Sequence, residues 1–171
     1  MAIAMLVTSI AAGITGCSGM NGSEDNPETR EVDVARADAV TFADQIRSII
    51  DLPGKTSDAG PTPTPCGDRD FDKFYSLVHP WSLYGVSVPD MEKAMLRLKG
   101  ELPAQGWKIE SYGPNSSRAK SLELTATATK KRYSLVITLL DRRGRSDDPS
   151  MITVDLGSPC LQVPEGTKVV I

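Results

Sequence analysis

The chain has 171 residues, of which 40% are hydrophobic and 24% are charged, and its formal net charge is -3. This length fits one globular domain rather than two. Proteins that coat nucleic acid carry a basic stripe and a high isoelectric point, whereas the isoelectric point here is near 5.2. Composition therefore predicts a single domain without a nucleic-acid partner.

The amino terminus is an uncharged apolar segment over residues 1–16, and the first charged residue of the chain is Glu24. A membrane-spanning helix needs about 20 apolar residues, so this shorter run predicts a signal peptide instead. Residues 17–32 contain many Gly, Ser, Asn and acidic residues, a composition that predicts a flexible tether. We therefore expect the folded domain over residues 33–171.

The junction between signal segment and tether, Ile14-Thr15-Gly16-Cys17, resembles a bacterial lipobox. The resemblance implies cleavage before Cys17 and lipid on its thiol, and two acyl chains are enough for stable anchoring. The protein would then be extracytoplasmic, anchored to the outer face of the cytoplasmic membrane by lipidated Cys17. The alternatives are a signal peptide without lipid and an incidental cysteine in an uncleaved apolar helix.

The chain has three cysteines, and lipid on Cys17 would leave Cys66 and Cys160 as a natural pair. Both lie in turn-rich segments, and a disulfide between them would persist outside the cytoplasm. We therefore predict a Cys66–Cys160 disulfide, with two free thiols as the alternative. Two cysteines and the single histidine, His79, do not complete a four-ligand zinc site, so we expect no metal.

Two helices are predicted along the rest of the chain. Apolar residues at helical spacing indicate a first helix over residues 33–52, ended by Pro53 and Gly54. The Pro- and Thr-rich residues 53–65 predict an extended connector without regular structure. A second helix has Pro89 in its first turn and ends at Pro103 and Gly106, again with an apolar stripe on one face.

Alternating apolar and polar residues predict the strands. One is expected over residues 81–86, after a weaker stretch over residues 74–79, and four more over residues 107–112, 121–129, 132–141 and 151–156. Consecutive strands with short connections pair antiparallel, and two amphipathic helices bury their stripes on the sheet. We therefore predict an α+β fold, a two-layer sandwich in which an antiparallel sheet of about four or five strands carries both helices on one face. A ferredoxin-like order is the alternative.

No motif for catalysis or for a cofactor stands out. No motif supplies His79 with a nucleophile and an orienting acid, and no serine lies in a Gly-x-Ser-x-Gly or Ser-x-x-Lys motif. Phosphate-binding glycine loops and calcium loops are also missing, so we expect no cofactor and no catalytic residue.

Four aromatic residues either line a ligand groove or belong to the core, namely Trp81, Tyr84, Trp107 and Tyr112.

Basic residues are concentrated between Arg118 and Arg145, where eight Lys and Arg accompany only two acidic residues. On a hairpin, some of them would lie at the tip and the others at the opposite end. Such residues contact anionic lipid headgroups or envelope polymers, or they only keep turns soluble and sheet edges protected. The candidate contact residues are Arg118, Lys120, Lys130, Lys131, Arg132, Arg142 and Arg143.

Several segments together resemble small lipoproteins of actinobacteria such as streptomycetes, a family without an assigned activity. The resemblance rests on the lipobox, the acidic first helix, the cysteine in the Pro-Thr segment, and residues 102–109 and 122–126. It implies a location and an architecture and transfers no catalytic residue. We therefore expect a cell-envelope lipoprotein that acts as a non-enzymatic binding domain, with an envelope protein or an anionic polymer as partner. The alternatives are a carrier of a lipid or other apolar ligand, and an envelope hydrolase.

Overall fold

The computed structural model describes residues 26–171, so residues 1–25, which include the predicted signal segment and Cys17, lie outside the described part. The helices are α1 (Val32–Ile50) and α2 (Val88–Glu101), and a 3-10 helix (Leu102–Gln105) continues α2. The strands are β1 (Glu28–Thr29), β2 (Lys55–Asp58), β3 (Thr62–Pro65), β4 (Phe74–Tyr84), β5 (Trp107–Pro114), β6 (Leu122–Ala128), β7 (Ser134–Leu140), β8 (Met151–Gly157) and β9 (Leu161–Gln162).

The first helix, α1, buries an apolar stripe that follows from its sequence. Its buried residues recur every three or four positions, as at Ala35, Ala39, Ala43 and Ile46, and this spacing places them on one face. The helix ends at Asp51, which has a left-handed φ of 43°. The Asp51 N–H donates to the carbonyl of Arg47 at 3.0 Å, which closes the last turn.

The second helix, α2, begins and ends at residues with clear local roles. The Ser87 hydroxyl accepts a hydrogen bond from the Asp90 N–H at 3.3 Å, and Pro89 lies in the first turn, where its missing N–H leaves no bond unmade. At the other end, Pro103 accompanies the change to a 3-10 turn. Gly106 then takes a left-handed φ of 86°, which glycine adopts without strain.

The nine strands form one mixed sheet, and seven of them follow the path β1-β9-β4-β8-β7-β6-β5. β8 and β9 pair with different residues along one edge of β4, and β2 and β3 pair with different residues along its other edge. Every pairing is antiparallel except the parallel pairing of β1 with β9. The second helix therefore crosses the sheet, because it connects β4 to β5, which lie on opposite sides of β8, β7 and β6.

The predicted sandwich with four or five antiparallel strands is wrong, although an α+β fold remains. The sheet has nine strands and is mixed, and the ferredoxin-like alternative is wrong too, because four consecutive strands pair as neighbours after α2.

Residues 53–65 were predicted to be a connector without regular structure, yet they contain β2 and β3. Pro63 and Pro65 conceal β3, because proline is rare within strands except at an edge, and β3 is such an edge strand.

The long strand β4 replaces the two separate stretches predicted over residues 74–79 and 81–86. It continues through Pro80, a residue that usually interrupts a sheet. The pairing with β3 stops at Val78 and the pairing with β2 resumes at Trp81. No strand on that side therefore lies opposite Pro80, and the missing N–H is tolerated.

The core lies between the two helices and one face of the sheet. Cross-strand neighbours on this face are buried in rows, such as Trp81, Val154 and Ile137. Helix residues such as Ile46 and Met95 are fully buried against them. The opposite face carries small polar residues, including the cross-strand row of Ser82, Thr153 and Thr138.

Candidate functional site

The two cysteines of the described chain are joined. Cys66 and Cys160 form a disulfide bond, with their Cα atoms 5.7 Å apart. Cys66 follows the edge strand β3 and Cys160 directly precedes β9, so the bond connects an early strand of the domain to its last one. Cys17, the predicted site of lipid attachment, lies outside the described residues.

His79, considered as a general base, is buried on the helix side of β4 with 2% of its surface exposed. Its Nε2 lies 2.8 Å from Oδ1 of Asp58. Its Nδ1 is buried without a hydrogen-bond partner. Within residues 26–171, no serine or cysteine therefore lies in hydrogen-bonding reach of this free ring nitrogen, which is the position a hydrolase nucleophile requires.

Asp58 is the centre of a polar cluster that joins α1, β2 and β4. Burial opposes its ionisation, but the Gly60 N–H, which donates at 2.7 Å, and the side chains of His79 and Arg47 together lower the pKa of Asp58 below its ordinary value. The Arg47 guanidinium also lies 4.6 Å from the centre of the Trp81 ring. Because these groups mainly satisfy one another, the cluster serves to connect the elements.

The basic residues predicted to contact an anionic surface lie at two opposite ends of the sheet. The turn between β6 and β7 carries Lys130, Lys131 and Arg132. The loops at the other end carry Arg118, Lys120, Arg142 and Arg143. Three of the seven are paired with carboxylates, in the pairs Lys131 with Asp38, Arg142 with Asp148 and Arg143 with Asp141. The seven residues therefore do not form one continuous patch.

The aromatic residues considered as a groove lining lie apart. Trp81 and Trp107 are 4% and 2% exposed, and their strands are separated by β8, β7 and β6. Tyr112 lies beside Lys99, whose Nζ is 4.7 Å from the ring centroid. The two tryptophans therefore belong to the core, which is the alternative that the sequence left open.

The structure assembles a different site, a cleft beside the first helix that we call the α1 cleft. Its volume is about 470 Å³ and it is open to solvent. One face of α1, the 3-10 turn after α2 and the turn between β6 and β7 form its walls. The lining residues are Asp38, Thr41, Phe42, Gln45, Ala104, Gln105, Gly106, Ala128, Thr129, Lys130 and Lys131.

Phe42 forms the apolar centre of the α1 cleft. Its ring centroid lies 5.1 Å from that of Trp107, in an edge-on arrangement, and 5.0 Å from that of Tyr133. Tyr133 is buried, and its hydroxyl donates to the carbonyl of Ala35 at 3.1 Å. Burial raises the pKa of the Tyr133 hydroxyl well above its ordinary range, so it remains a donor. Phe42 therefore lines the cleft, and the two buried rings of Trp107 and Tyr133 support it from the core.

Gly106 and Thr129 hold the two turns of the cleft together. The Gly106 carbonyl accepts hydrogen bonds from the Thr129 N–H at 2.9 Å and from the Thr129 hydroxyl at 3.0 Å. Arg132, with a left-handed φ of 54°, donates its N–H to the carbonyl of Ala128 at 2.9 Å and so closes the β6–β7 turn. Backbone hydrogen bonds therefore fix this wall and leave the side chain of Lys130 exposed at its rim.

One polar atom of the cleft lining lacks a hydrogen-bond partner within residues 26–171. Gln45 lines the cleft, and its Oε1 is screened from water without a donor. The described residues contain three other such atoms, on His79, Trp81 and Trp107, and none of these residues lines the cleft. A buried polar group without a partner costs about 1 to 3 kcal/mol. A ligand donor at the Gln45 amide would therefore supply a hydrogen bond that the free protein lacks.

The mouth of the α1 cleft is positively charged. Lys131 Nζ lies 2.5 Å from Oδ1 of Asp38, and the Arg30 guanidinium binds the other oxygen of the same carboxylate. Lys130 is exposed and has no ion-pair partner within residues 26–171. One carboxylate and two ammonium groups line the mouth, which leaves one uncompensated positive charge. The arrangement can hold an anion at its rim and an apolar body against Phe42.

Sequence reasoning identified only part of this cleft. Lys130 and Lys131 were among the predicted basic residues, whereas Phe42 was assigned to the apolar stripe of the first helix and Gln45 was not singled out. The three walls come from segments around residues 38–45, 104–106 and 128–131, which only the folded chain brings together. The sequence carries one local signal, because residues 103–106 combine a helix stop with a glycine turn. This signal predicts a turn, which forms one side of the cleft, but it does not predict a binding site.

The described residues show neither a metal cluster nor a membrane span. Within residues 26–171, no group of three or more His, Cys, Asp or Glu side chains could hold a metal ion. In the same part of the chain, no helix combines the length and the apolar character that crossing a membrane requires. No protein-family model, curated protein or solved structure matches this chain.

Proposed function

We propose that the chain is a cell-envelope lipoprotein, anchored through lipid on Cys17 to the outer face of the cytoplasmic membrane, and that its folded domain is a non-enzymatic binding domain. The observation that carries the binding function is the α1 cleft, where Phe42 lies among polar and charged side chains and the Oε1 of Gln45 lacks a partner within the described residues. Clefts of this size that combine apolar surface with polar groups are usual sites for small ligands. The α1 cleft is thus the proposed binding site.

The disulfide supports the extracytoplasmic part of this proposal. The bond between Cys66 and Cys160 is consistent with an oxidising compartment, because thiols in the cytoplasm are kept reduced. The predicted tether would place the domain close to the membrane surface, and it ends before β1, because Glu28 and Thr29 already pair with β9. There, Arg118 and Lys120, which have no ion-pair partners within residues 26–171, are available to an anionic polymer or envelope protein.

The other two functions find less support. A carrier of apolar molecules needs space between helices and sheet, and side chains such as Ile46, Met95 and Ile137 fill this layer with no exposed surface. A hydrolase needs a nucleophile beside His79, and the buried Nδ1 of that residue has no hydrogen-bond partner. Binding of a small molecule in the α1 cleft requires neither feature.

Mass spectrometry of the protein purified from native membranes tests the anchoring. We expect a mature chain that begins at Cys17 with two acyl chains on its thiol-linked glycerol, and a Cys17→Ser variant that is no longer retained in the membrane fraction. The matched control is Ser18→Ala, which changes the neighbouring residue, leaves the thiol intact and should remain in membranes. An unmodified Cys17 in a cytosolic protein would overturn the proposed location.

A further inference from the structure

We propose that the α1 cleft takes a small carboxylic acid with a flat apolar body and an N–H or O–H group at the end opposite its carboxylate. This inference rests on the proposed function, since it specifies the ligand class of the same cleft. Three separate features of the cleft define the three parts of this molecule. They are the charge at the mouth, the ring of Phe42 and the buried amide oxygen of Gln45.

The charge at the mouth selects an anion. Both carboxylate oxygens of Asp38 already form ion pairs, one with Lys131 and the other with Arg30. A cationic ligand would have to compete with both of these partners. Lys130, in contrast, is exposed and has no ion-pair partner within residues 26–171. A ligand carboxylate that approaches Lys130 therefore breaks no existing ion pair.

The middle of the cleft selects a flat apolar body. Phe42 is half-buried, and Trp107 and Tyr133 hold its ring from behind. Ala104 and Ala128 add small apolar side chains to the lining. Aromatic rings gain from edge-on or offset contacts with one another beyond the burial of their area. An aromatic ring against Phe42 therefore fits better than a branched aliphatic group.

The end of the cleft lined by Gln45 selects a hydrogen-bond donor. Oε1 of Gln45 is an acceptor that receives no hydrogen bond within residues 26–171, and it is screened from water, so a ligand donor reaches it once the half-buried side chain turns toward the cleft. A ligand N–H or O–H that reaches this oxygen recovers the hydrogen bond that the free protein leaves unmade. A ligand with only apolar atoms at this end would leave the oxygen unsatisfied, so the cleft discriminates against it.

Indole-3-acetate is a probe that contains all three parts, and three analogues each change one of them. Naphthalene-1-acetate lacks the N–H, indole-3-acetamide lacks the negative charge, and tryptamine carries a positive charge instead. The measurement is a titration of the full chain in detergent micelles, followed by NMR of the two indole N–H groups. Micelles alone provide the control for partitioning of the probes.

The two tryptophans of the chain make this readout specific. Trp107 touches Phe42 at the cleft, whereas Trp81 lies on β4 beneath Arg47. We expect indole-3-acetate to shift the indole signal of Trp107 and leave that of Trp81 in place. Naphthalene-1-acetate and indole-3-acetamide should bind roughly threefold to tenfold more weakly, and tryptamine should not bind.

Two variants assign the parts of the ligand to residues. Lys130→Gln should weaken binding of indole-3-acetate about threefold to fivefold and remove its advantage over indole-3-acetamide. Gln45→Leu should remove the advantage over naphthalene-1-acetate. The matched control is Lys55→Gln, which makes the same change of charge on the exposed edge strand β2, outside the cleft, and should leave all affinities unchanged.

The outcomes separate this inference from the proposed function. Tighter binding of tryptamine than of indole-3-acetate, with a shift of Trp107, would overturn the ligand class and keep the cleft as a binding site. Equal affinities for all probes would also overturn the ligand class. Failure of every probe to shift Trp107 at millimolar concentration would overturn the inference and remove the cleft from the proposed function. None of these outcomes bears on anchoring through Cys17, which mass spectrometry of the membrane-purified protein tests.

Discussion

Asp58 connects the short strand β2, whose four residues are polar and exposed, to the rest of the molecule. It accepts hydrogen bonds from His79 at 2.8 Å and from the Gly60 N–H at 2.7 Å, and an ion pair joins it to Arg47. Burial opposes its charge, yet these partners lower the pKa of Asp58 below its ordinary value. The charged form of Asp58 is therefore favoured by folding.

The first prediction concerns the pH dependence of stability. Because the pKa of Asp58 is lower in the folded protein, its carboxylate stabilises the fold fully above about pH 4, and this stabilisation is lost as the pH falls through the lower folded value. Asp58→Asn should lower the free energy of unfolding at pH 7 by about 1 to 3 kcal/mol. The difference from the parent protein should shrink at pH 3, as measured by urea denaturation.

A carboxylate on the same arginine provides the control for this prediction. Asp44 binds Arg47 at 2.9 Å but is 65% exposed, and exposed pairs contribute little. Asp44→Asn should therefore change the free energy of unfolding by less than about 0.5 kcal/mol. If Asp58→Asn behaves like Asp44→Asn at both pH values, the Asp58 cluster does not stabilise the fold.

At the scale of elements, Arg97 connects the two helices. Its Nε donates to the carbonyl of Ile49 at 3.1 Å, and another guanidinium nitrogen donates to the carbonyl of Ile50. Carbonyls at the end of a helix have no partner within that helix. A cation on α2 thus satisfies the C-terminal end of α1, where it also interacts favourably with the helix dipole.

The second prediction tests this connection. Arg97→Met keeps much of the apolar stem and removes the donors, so it should lower the free energy of unfolding by about 1 to 3 kcal/mol in urea denaturation. Lys93→Met is the control, because Lys93 lies on the same helix and pairs only with exposed Asp90, at 3.1 Å. Its effect should stay within about 0.5 kcal/mol. Equal effects of the two substitutions would show that Arg97 contributes no more than a surface charge.

The elements also show what the sequence could predict. The ends of α1 and α2 lie close to the predicted positions, because Pro89, Pro103 and Gly106 act locally. The edge strand β3 was missed, because its two prolines are acceptable only where one side of a strand is unpaired. That condition depends on β4, which follows later in the chain. Local sequence therefore indicates the helices better than the strands at the sheet edge.

The candidate site was harder to predict than the fold. Phe42 and Gln45 lie one turn apart on α1, and nothing in their own segment distinguishes a lining residue from a core or surface residue. Their role depends on the Gly106 to Thr129 hydrogen bonds, which join two distant turns. A cleft formed by tertiary contacts leaves no spacing pattern in the sequence, in contrast to a metal or phosphate motif.

At the scale of the whole molecule, one covalent bond spans most of the domain. The disulfide joins Cys66 to Cys160 across 94 positions of the sequence. A cross-link that closes so long a loop restricts the unfolded chain strongly, and the chain-entropy model assigns about 4 to 5 kcal/mol to it. The bond therefore contributes a large part of a typical domain's stability.

The third prediction follows for the reduced protein. Reduction with dithiothreitol should lower the Tm by roughly 10 to 20 °C, as measured by circular dichroism. The Cys17→Ser variant is the control, and it should lose as much stability on reduction as the parent protein. A Cys66→Ser, Cys160→Ser double variant should melt near the reduced parent and be insensitive to dithiothreitol. An unchanged Tm after complete reduction would contradict the stabilising role of the bond.

The prolines of β3 have a consequence for crowded molecules. Pro63 and Pro65 occupy alternate positions of the outermost strand and provide no N–H groups. An outer strand with free donors recruits a strand from a second molecule and begins a fibril. Attachment to a surface raises the local concentration of a protein there. Copies of this domain held side by side on a surface would therefore not pair with one another through β3.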